Sequence, residues 1–267
     1  MSQVRPPAVA GTFYPGDETQ LAAAVRGYLE EAAGAMGADS RPPAPKAIIV
    51  PHAGYVYSAP VAARAFTAVR GLAGQVSRVV LLGPAHFVNF RGIAAPAAAS
   101  FETPLGALAV DRAAIEAVAD MPEVVLSDAP HAREHSLEVQ LPFIREVLGE
   151  VSLVPLAVGD VESEAVSRVL DRLWGGPETL VVVSSDLSHY HAYAAAQRMD
   201  AITAAAIEAL DGARLGPEDA CGYCGVAGLL SAARRRGLAV ERLDLRNSGD
   251  TAGPRDQVVG YGAWLLR

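Results

Sequence analysis

The stretch IIVPHAGYVYS, residues 48–58, drives an apolar, β-branched run directly into Pro51, His52, Ala53 and Gly54. With Ala47 it forms AIIV (47–50), four apolar residues without alternation, which is the signature of a strand covered on both faces in a parallel sheet. Proline then ends the strand, and glycine leaves space for something to approach the backbone beside the imidazole. The pattern recurs down the chain as RVVLL (78–82), SLVPLAV (152–158) and TLVVVSS (179–185). Between these runs lie alanine-rich, amphipathic segments that predict helices near 58–70, 111–119, 163–174 and 192–210, with a further one near 225–236. Strands spaced by helices indicate an α/β protein with a mostly parallel or mixed central sheet and helices on both faces. Two late extended segments, AVERLDLRN (239–247) and QVVGYGAWLL (257–266), are expected to pair as sheet-edge strands.

At 267 residues and 51% hydrophobic content the chain can bury a substantial core. No repeat is visible, and the one linker-like stretch is GAMGADSRPPAP (34–45), so one domain over residues 1–267 is expected. The 30 acidic and 22 basic side chains give a formal charge of −8, with no basic groove interleaved with aromatics, which argues against a nucleic-acid partner. No apolar segment approaches the ~18 residues of a membrane span, and the N-terminus lacks signal-peptide character, so a cytoplasmic location away from membranes is expected. The only cysteines, Cys221 and Cys224, are too few and too close for a secreted disulfide framework and are expected to be reduced.

Ligands of open α/β sheets bind beyond the carboxyl ends of the strands. There AIIV delivers His52, RVVLL leads through GPAH to His86, and TLVVVSS leads through DLSH to Asp186 and His189. Half of the six histidines therefore fall at strand ends, and imidazole is the commonest metal ligand. For Cys221 and Cys224, just ahead of a small-residue helix, three readings stand: a soft metal ligand, a C-x-x-C redox pair, or two buried apolar groups. The segment HAREHSLEVQLPFIREVL (131–148) carries a helical stripe of Leu137, Leu141, Ile144 and Leu148, with Ser136 placed to cap it and Pro142 to kink or restart it. His135 and Glu138, near its start, are candidates to face the crevice. A serine triad of Ser184 or Ser185 with Asp186 and His189 is disfavoured, because three members within six residues do not converge and no G-x-S-x-G elbow is present.

Taken in order, AGTFYPGD (10–17), VPHAGYVYS (50–58), LLGPAHF (81–87), EHSLEVQLPF (134–143), SSDLSH (184–189) and CGYCGVAGLL (221–230) resemble the Memo family, known as a mediator of cell motility in animals and as component B of the AmmeMemoRadiSam set in prokaryotes. The resemblance implies a fold similar to class III, LigB-type extradiol dioxygenases. It implies a metal site of His52, His86 and Cys221, with Asp186 and His189 in the same pocket. Dioxygenases of that fold hold ferrous iron with two histidines and a carboxylate. Here a cysteine takes the third place, which brings copper(I) and zinc into competition with iron. The expected function is that of a non-haem iron or copper redox enzyme, with His189 as acid or base, Asp186 orienting an imidazole, and His135 and Glu138 as further catalytic candidates. The alternative is a non-catalytic metal- or peptide-binding protein. The resemblance implies AMMECR-like and radical S-adenosylmethionine proteins as partners, and a small molecule or peptide as the pocket ligand.

Overall fold

The structure is a computed structural model that describes residues 4–36 and 44–267. Most of the linker-like stretch at 34–45 lies outside the described residues. The strands are β1 (Val4–Arg5), β2 (Ala47–Val50), β3 (Arg78–Pro84), β4 (Ile93–Ala95), β5 (Ser100–Thr103), β6 (Gly106–Ala109), β7 (Val124–Leu126), β8 (Ser152–Val158), β9 (Thr179–Ser184), β10 (His189–His191), β11 (Val240–Asn247) and β12 (Val258–Leu266). The helices are α1 (Glu18–Met36), α2 (Tyr55–Ala68), α3 (Arg112–Glu116), α4 (Leu141–Leu148), α5 (Ser163–Leu173), α6 (Tyr193–Glu208) and α7 (Tyr223–Arg235).

Among the described residues, nine strands form one sheet in the order β10-β12-β2-β9-β3-β8-β4-β7, with β11 also pairing with β12. Its centre, β2-β9-β3-β8, is parallel, and these are the uninterrupted apolar runs of the sequence, buried almost throughout. The flanks are antiparallel, β12 against β2 and β4 against β8, so the sheet is mixed. Of the two late segments, only β11 lies at an edge. The other, β12, runs inside the sheet with Trp264, Leu265 and Leu266 facing Ile49, Ile48 and Ala47, as its apolar end requires.

Neighbouring residues on β9 show that both faces are covered, because consecutive strand side chains point to opposite sides. Val183 meets α7, where a Cβ built on Gly225 would lie 3.4 Å away. Ser184 Oγ accepts a hydrogen bond from Gln140 Nε2, just ahead of α4. On the α4 face, α1 and α2 complete the layer; on the other, α5 packs along α7.

Helix α1 is not anticipated above, though its signals are local. Asp17 accepts from the Gln20 N–H as an N-cap, and Leu21, Val25, Leu29 and Ala32 form a fully buried stripe. Ser136 is not the cap expected of it: its hydroxyl donates to Pro84 O at 2.8 Å, tying the segment to the end of β3. The chain then makes a short 3-10 turn at Glu138–Gln140, and Pro142 sits in the first turn of α4, where its missing N–H costs nothing.

A smaller sheet, β1-β5-β6, holds the N-terminal segment. From β1, residues 5–16 cross the mouth of the main sheet as a strap. Gly11 (φ 78°) makes its turn, and Phe13 O accepts from the Tyr55 N–H at the start of α2. Glu138, fully buried, anchors it: the carboxylate pairs with Arg5 and accepts from the N–H groups of Ala8 and Val9 and from Tyr14 Oη. No helix of the described residues is long and apolar enough to cross a membrane.

Candidate metal centre

The carboxyl ends of β2, β9 and β3 lie side by side, and the segments that follow them deliver His52, Ser184 to Asp186, and His86 to one place. The segment before α4 adds His135 from above. The rings of His52, His86 and His135 lie 4.7–5.5 Å apart between centroids, and one nitrogen from each falls within 4.8 Å of the others.

Hydrogen bonding sets the tautomers of two of these rings. Ser184 Oγ has one proton and donates it to Ser136 O at 2.7 Å. Its contacts with Gln140 Nε2 and with His52 Nδ1, both 2.9 Å, must therefore be accepted bonds. His52 thus carries its proton on Nδ1 and keeps the Nε2 lone pair free. Burial pushes its pKa down to about 3, with the charge of His86 as a further cause, so the ring is neutral.

His86 is held by Glu134. Its Nδ1 lies 2.8 Å from Glu134 Oε1, and its own N–H donates to Oε2. The same carboxylate accepts from the N–H groups of His135 and Ser136. Burial would raise the carboxyl, but the hydrogen bonds and charge of His86 and the N–H of Ser136 hold it down at about 2. An ionised carboxylate only accepts, so His86 Nδ1 is the donor and Nε2 is the ring nitrogen left for another partner. This carboxylate–histidine arrangement is the one that orients metal-ligating imidazoles.

His135 is packed between Phe13 of the strap (centroids 4.6 Å apart) and the stacked His86 ring. Burial and the neighbouring His52 lower its pKa to about 4. Glu134 Oε1 approaches its Nδ1 at 3.4 Å without hydrogen-bond geometry, so this buried nitrogen has no partner.

Cys221 borders the cluster. Its Sγ is 3.3 Å from His52 Nε2 and accepts from the Asp186 N–H at 3.3 Å, while Cys221 N–H donates to Asp186 O. Two ligands at tetrahedral angles on one ion, with N and S bonds of ordinary length, stand ~3.5 Å apart, so the Cys221–His52 spacing suits a shared metal. Burial pushes the thiol pKa up, and the Asp186 charge adds to it, against the thiolate that a helix N-terminus would favour. A cation would reverse that preference. Neutral imidazoles with inward lone pairs, an unpartnered buried nitrogen and an adjacent thiol fit a transition metal.

The remaining candidates are placed differently. Asp186 Oδ1 accepts from the His52 N–H at 2.7 Å, so it fixes the His52 main chain rather than an imidazole, and burial raises its carboxyl. His189, on β10, is close enough for its charge to act on Asp186 and His52, but it is not among the three clustered histidines. Glu138 spends its carboxylate on the strap, away from the cluster. Ser184 has committed its proton to Ser136 O, which removes it as a nucleophile. Sequence reasoning missed Glu134, although it directly precedes His135, and missed Phe13, which lies in a motif quoted above.

The Memo-like protein family model matches residues 5–265. A MEMO1 family protein of Thermotoga maritima is 36% identical over 278 residues, spanning 98% of this chain and 99% of the relative. Its counterparts in Aquifex aeolicus and Nitrosopumilus maritimus are 35% and 31% identical, each spanning 97% of this chain and 97% and 98% of their own. The crystal structure of an uncharacterized Escherichia coli K12 protein, JW3007, superimposes with a TM-score of 0.50 at 15% identity, over 80% of this chain and 98% of that one, a likeness of fold. The family model spans nearly the whole chain and so do the curated relatives: this protein belongs to the Memo-like family.

Proposed function

We propose that this protein binds a redox-active metal, iron or copper, at His52, His86 and His135 with Cys221 beside them, and uses it in oxidoreductase chemistry related to that of extradiol dioxygenases. The observation that carries the reading is the pair of hydrogen bonds that hold the Nδ1 atoms, Ser184 on His52 and Glu134 on His86, and leave both Nε2 atoms to a ligand. Metal-ligating imidazoles are held in this way, one nitrogen donating to a fixed acceptor while the other is left to the metal. Iron or copper bound there supplies a redox couple and Lewis acidity. The chain's own groups then divide the work. Glu134 and Ser184 hold the imidazoles, Asp186 fixes the His52 backbone, and the strap with Phe13 excludes water above His135. His189, half-buried at the rim, acts as acid or base toward a bound phenol or peptide group.

A second reading has its own support. Both nearby carboxylates are occupied, Glu134 by N–H donors and Asp186 by the His52 N–H, which leaves a donor set of imidazole and thiol. Such a set suits copper(I) or zinc, held without oxygen turnover.

Metal analysis by mass spectrometry on protein purified without oxygen or chelator tests the proposal, comparing wild type with His86→Ala, His135→Ala and Cys221→Ser. Near-stoichiometric iron or copper, lost in His86→Ala, is expected, followed by oxygen uptake with a catechol, phenol and thiol panel. Absence of bound metal after anaerobic reconstitution overturns the reading. Tight metal without oxygen uptake selects the second one.

A further inference from the structure

Cys224 has no part in the centre described above, yet it shares a chamber with Cys221. Ser184, Cys221, Tyr223 and Cys224 are among the lining of a cavity of about 70 Å3 between the end of β9 and the start of α7. Cys221 also lines a wider groove of about 520 Å3, bordered by Val88, Phe90, Arg91 and Asp160. Both thiols are partly exposed, and both border the inner cavity.

The backbone beneath them is fixed. Cys221 N–H donates to Asp186 O and Gly222 N–H to Ser185 Oγ, and a Cβ on Gly222 would come within 2.8 Å of Ser184 O. Cys221 lies in the turn just ahead of α7, whose cap is Gly222, and Cys224 is the second residue of the helix. A disulfide needs Cβ atoms ~3.5–4.5 Å apart, and the turn between them is the place where the chain adjusts to bring the C-x-x-C pair together. Neither sulfur is held strongly: Cys224 Sγ donates to Val161 O at 3.2 Å, and Cys221 has the weak contacts to Asp186 N and His52 Nε2.

We propose that Cys221 and Cys224 are a dithiol oxidised by hydroperoxides, with Cys221 the attacking and Cys224 the resolving thiol. Cys221 sulfur attacks the terminal peroxide oxygen, the O–O bond breaks, and the thiol proton goes to the departing oxygen, which leaves as water from hydrogen peroxide or as an alcohol from an organic hydroperoxide. The resulting sulfenic acid condenses with the Cys224 thiol, forming the S–S bond and releasing water. The two thiols lose two electrons, and the peroxide gains them. Closure draws Cys221 Sγ away from His52 Nε2, so peroxide removes the sulfur from the edge of the histidine cluster. The inference does not depend on which metal the cluster holds, or on its holding one.

The full chain, stripped of metal and treated with hydrogen peroxide, is trapped with an alkylating reagent and examined by intact-mass and peptide mass spectrometry. Wild type is expected to lose two hydrogen masses in a peptide linking 221 to 224, reversibly with dithiothreitol. Cys224→Ser, and Cys224→Ala as a second variant, are expected to collect two or three oxygens on Cys221 irreversibly, with melting profiles confirming that both fold. Oxygen adducts in wild type at the same rate as in the variants, with no 221–224 link, would overturn the proposal. Working without metal separates this outcome from failure of the metal reading.

Discussion

Acidifying metal-free protein from pH 7 to pH 5 should remove about 6 kcal/mol of folding stability, through three histidines that must stay neutral to stay buried. His52 is depressed to about 3, and His131 and His135 to about 4, in each case chiefly by burial. Between pH 6.5 and those values the unfolded chain binds protons that the folded chain refuses. Stability is therefore full above pH 6.5 and falls as the pH drops through this window, by about 2 kcal/mol per histidine at pH 5. Asp186 and Asp200, raised by burial, pull the other way and offset part of the loss. The total is comparable to the lower end of domain stability, about 5–15 kcal/mol. His131 isolates the effect, because it lies outside the cluster: its Nε2 donates to Ala94 O at 3.0 Å, and its buried Nδ1 has no partner to receive a proton's N–H. Urea unfolding at pH 7, 6 and 5 in chelator is the assay. His131→Asn should lose about 2 kcal/mol less than wild type over that range. Identical pH slopes for variant and wild type would refute the reasoning.

Three further outcomes are expected. Glu134→Gln puts an amide where four N–H groups seek an acceptor, and metal affinity in a chelator competition titration should fall about tenfold to a hundredfold; an unchanged Kd would mean that His86 is oriented by something else. Glu138→Gln leaves Arg5 buried without its counter-charge and should cost about 3–5 kcal/mol in denaturant unfolding, with limited proteolysis showing earlier cleavage within residues 5–16; equal stability would remove the strap's anchor. Gly83→Ala places a Cβ 2.7 Å from Ser136 Oγ and 3.0 Å from Leu137, and thermal melting should report about 1–3 kcal/mol of destabilisation.

The central strands were legible because a strand buried on both faces must be apolar along its whole length, and their carboxyl ends pointed to His52 and His86 by the geometry of parallel sheets. His135 was legible only as a candidate, since nothing local says that a residue before α4 will stack on a ring that follows β3. Glu138 illustrates why the rest was hidden. Beside His135 it reads as a pocket acid, but its partner Arg5 lies 133 positions away, and no periodicity links the two. The strands β4, β5, β6 and β7 span three or four residues each, too few for alternation to register. The interior place of β12 follows from its pairing with β2, a contact across most of the chain.

The strap's dependence on Glu138 also sets an order of events during synthesis. Arg5 leaves the ribosome 133 residues ahead of the carboxylate that will seat it. At ordinary elongation rates that interval is on the order of ten seconds. For that time the segment carrying Phe13 has no anchor, and the nascent sheet ends stand uncovered. The segment at residues 5–16, made before every strand of the main sheet, is thus among the last to settle, and the histidine cluster gains its roof only after the strands that carry His52 and His86 are already in the solvent.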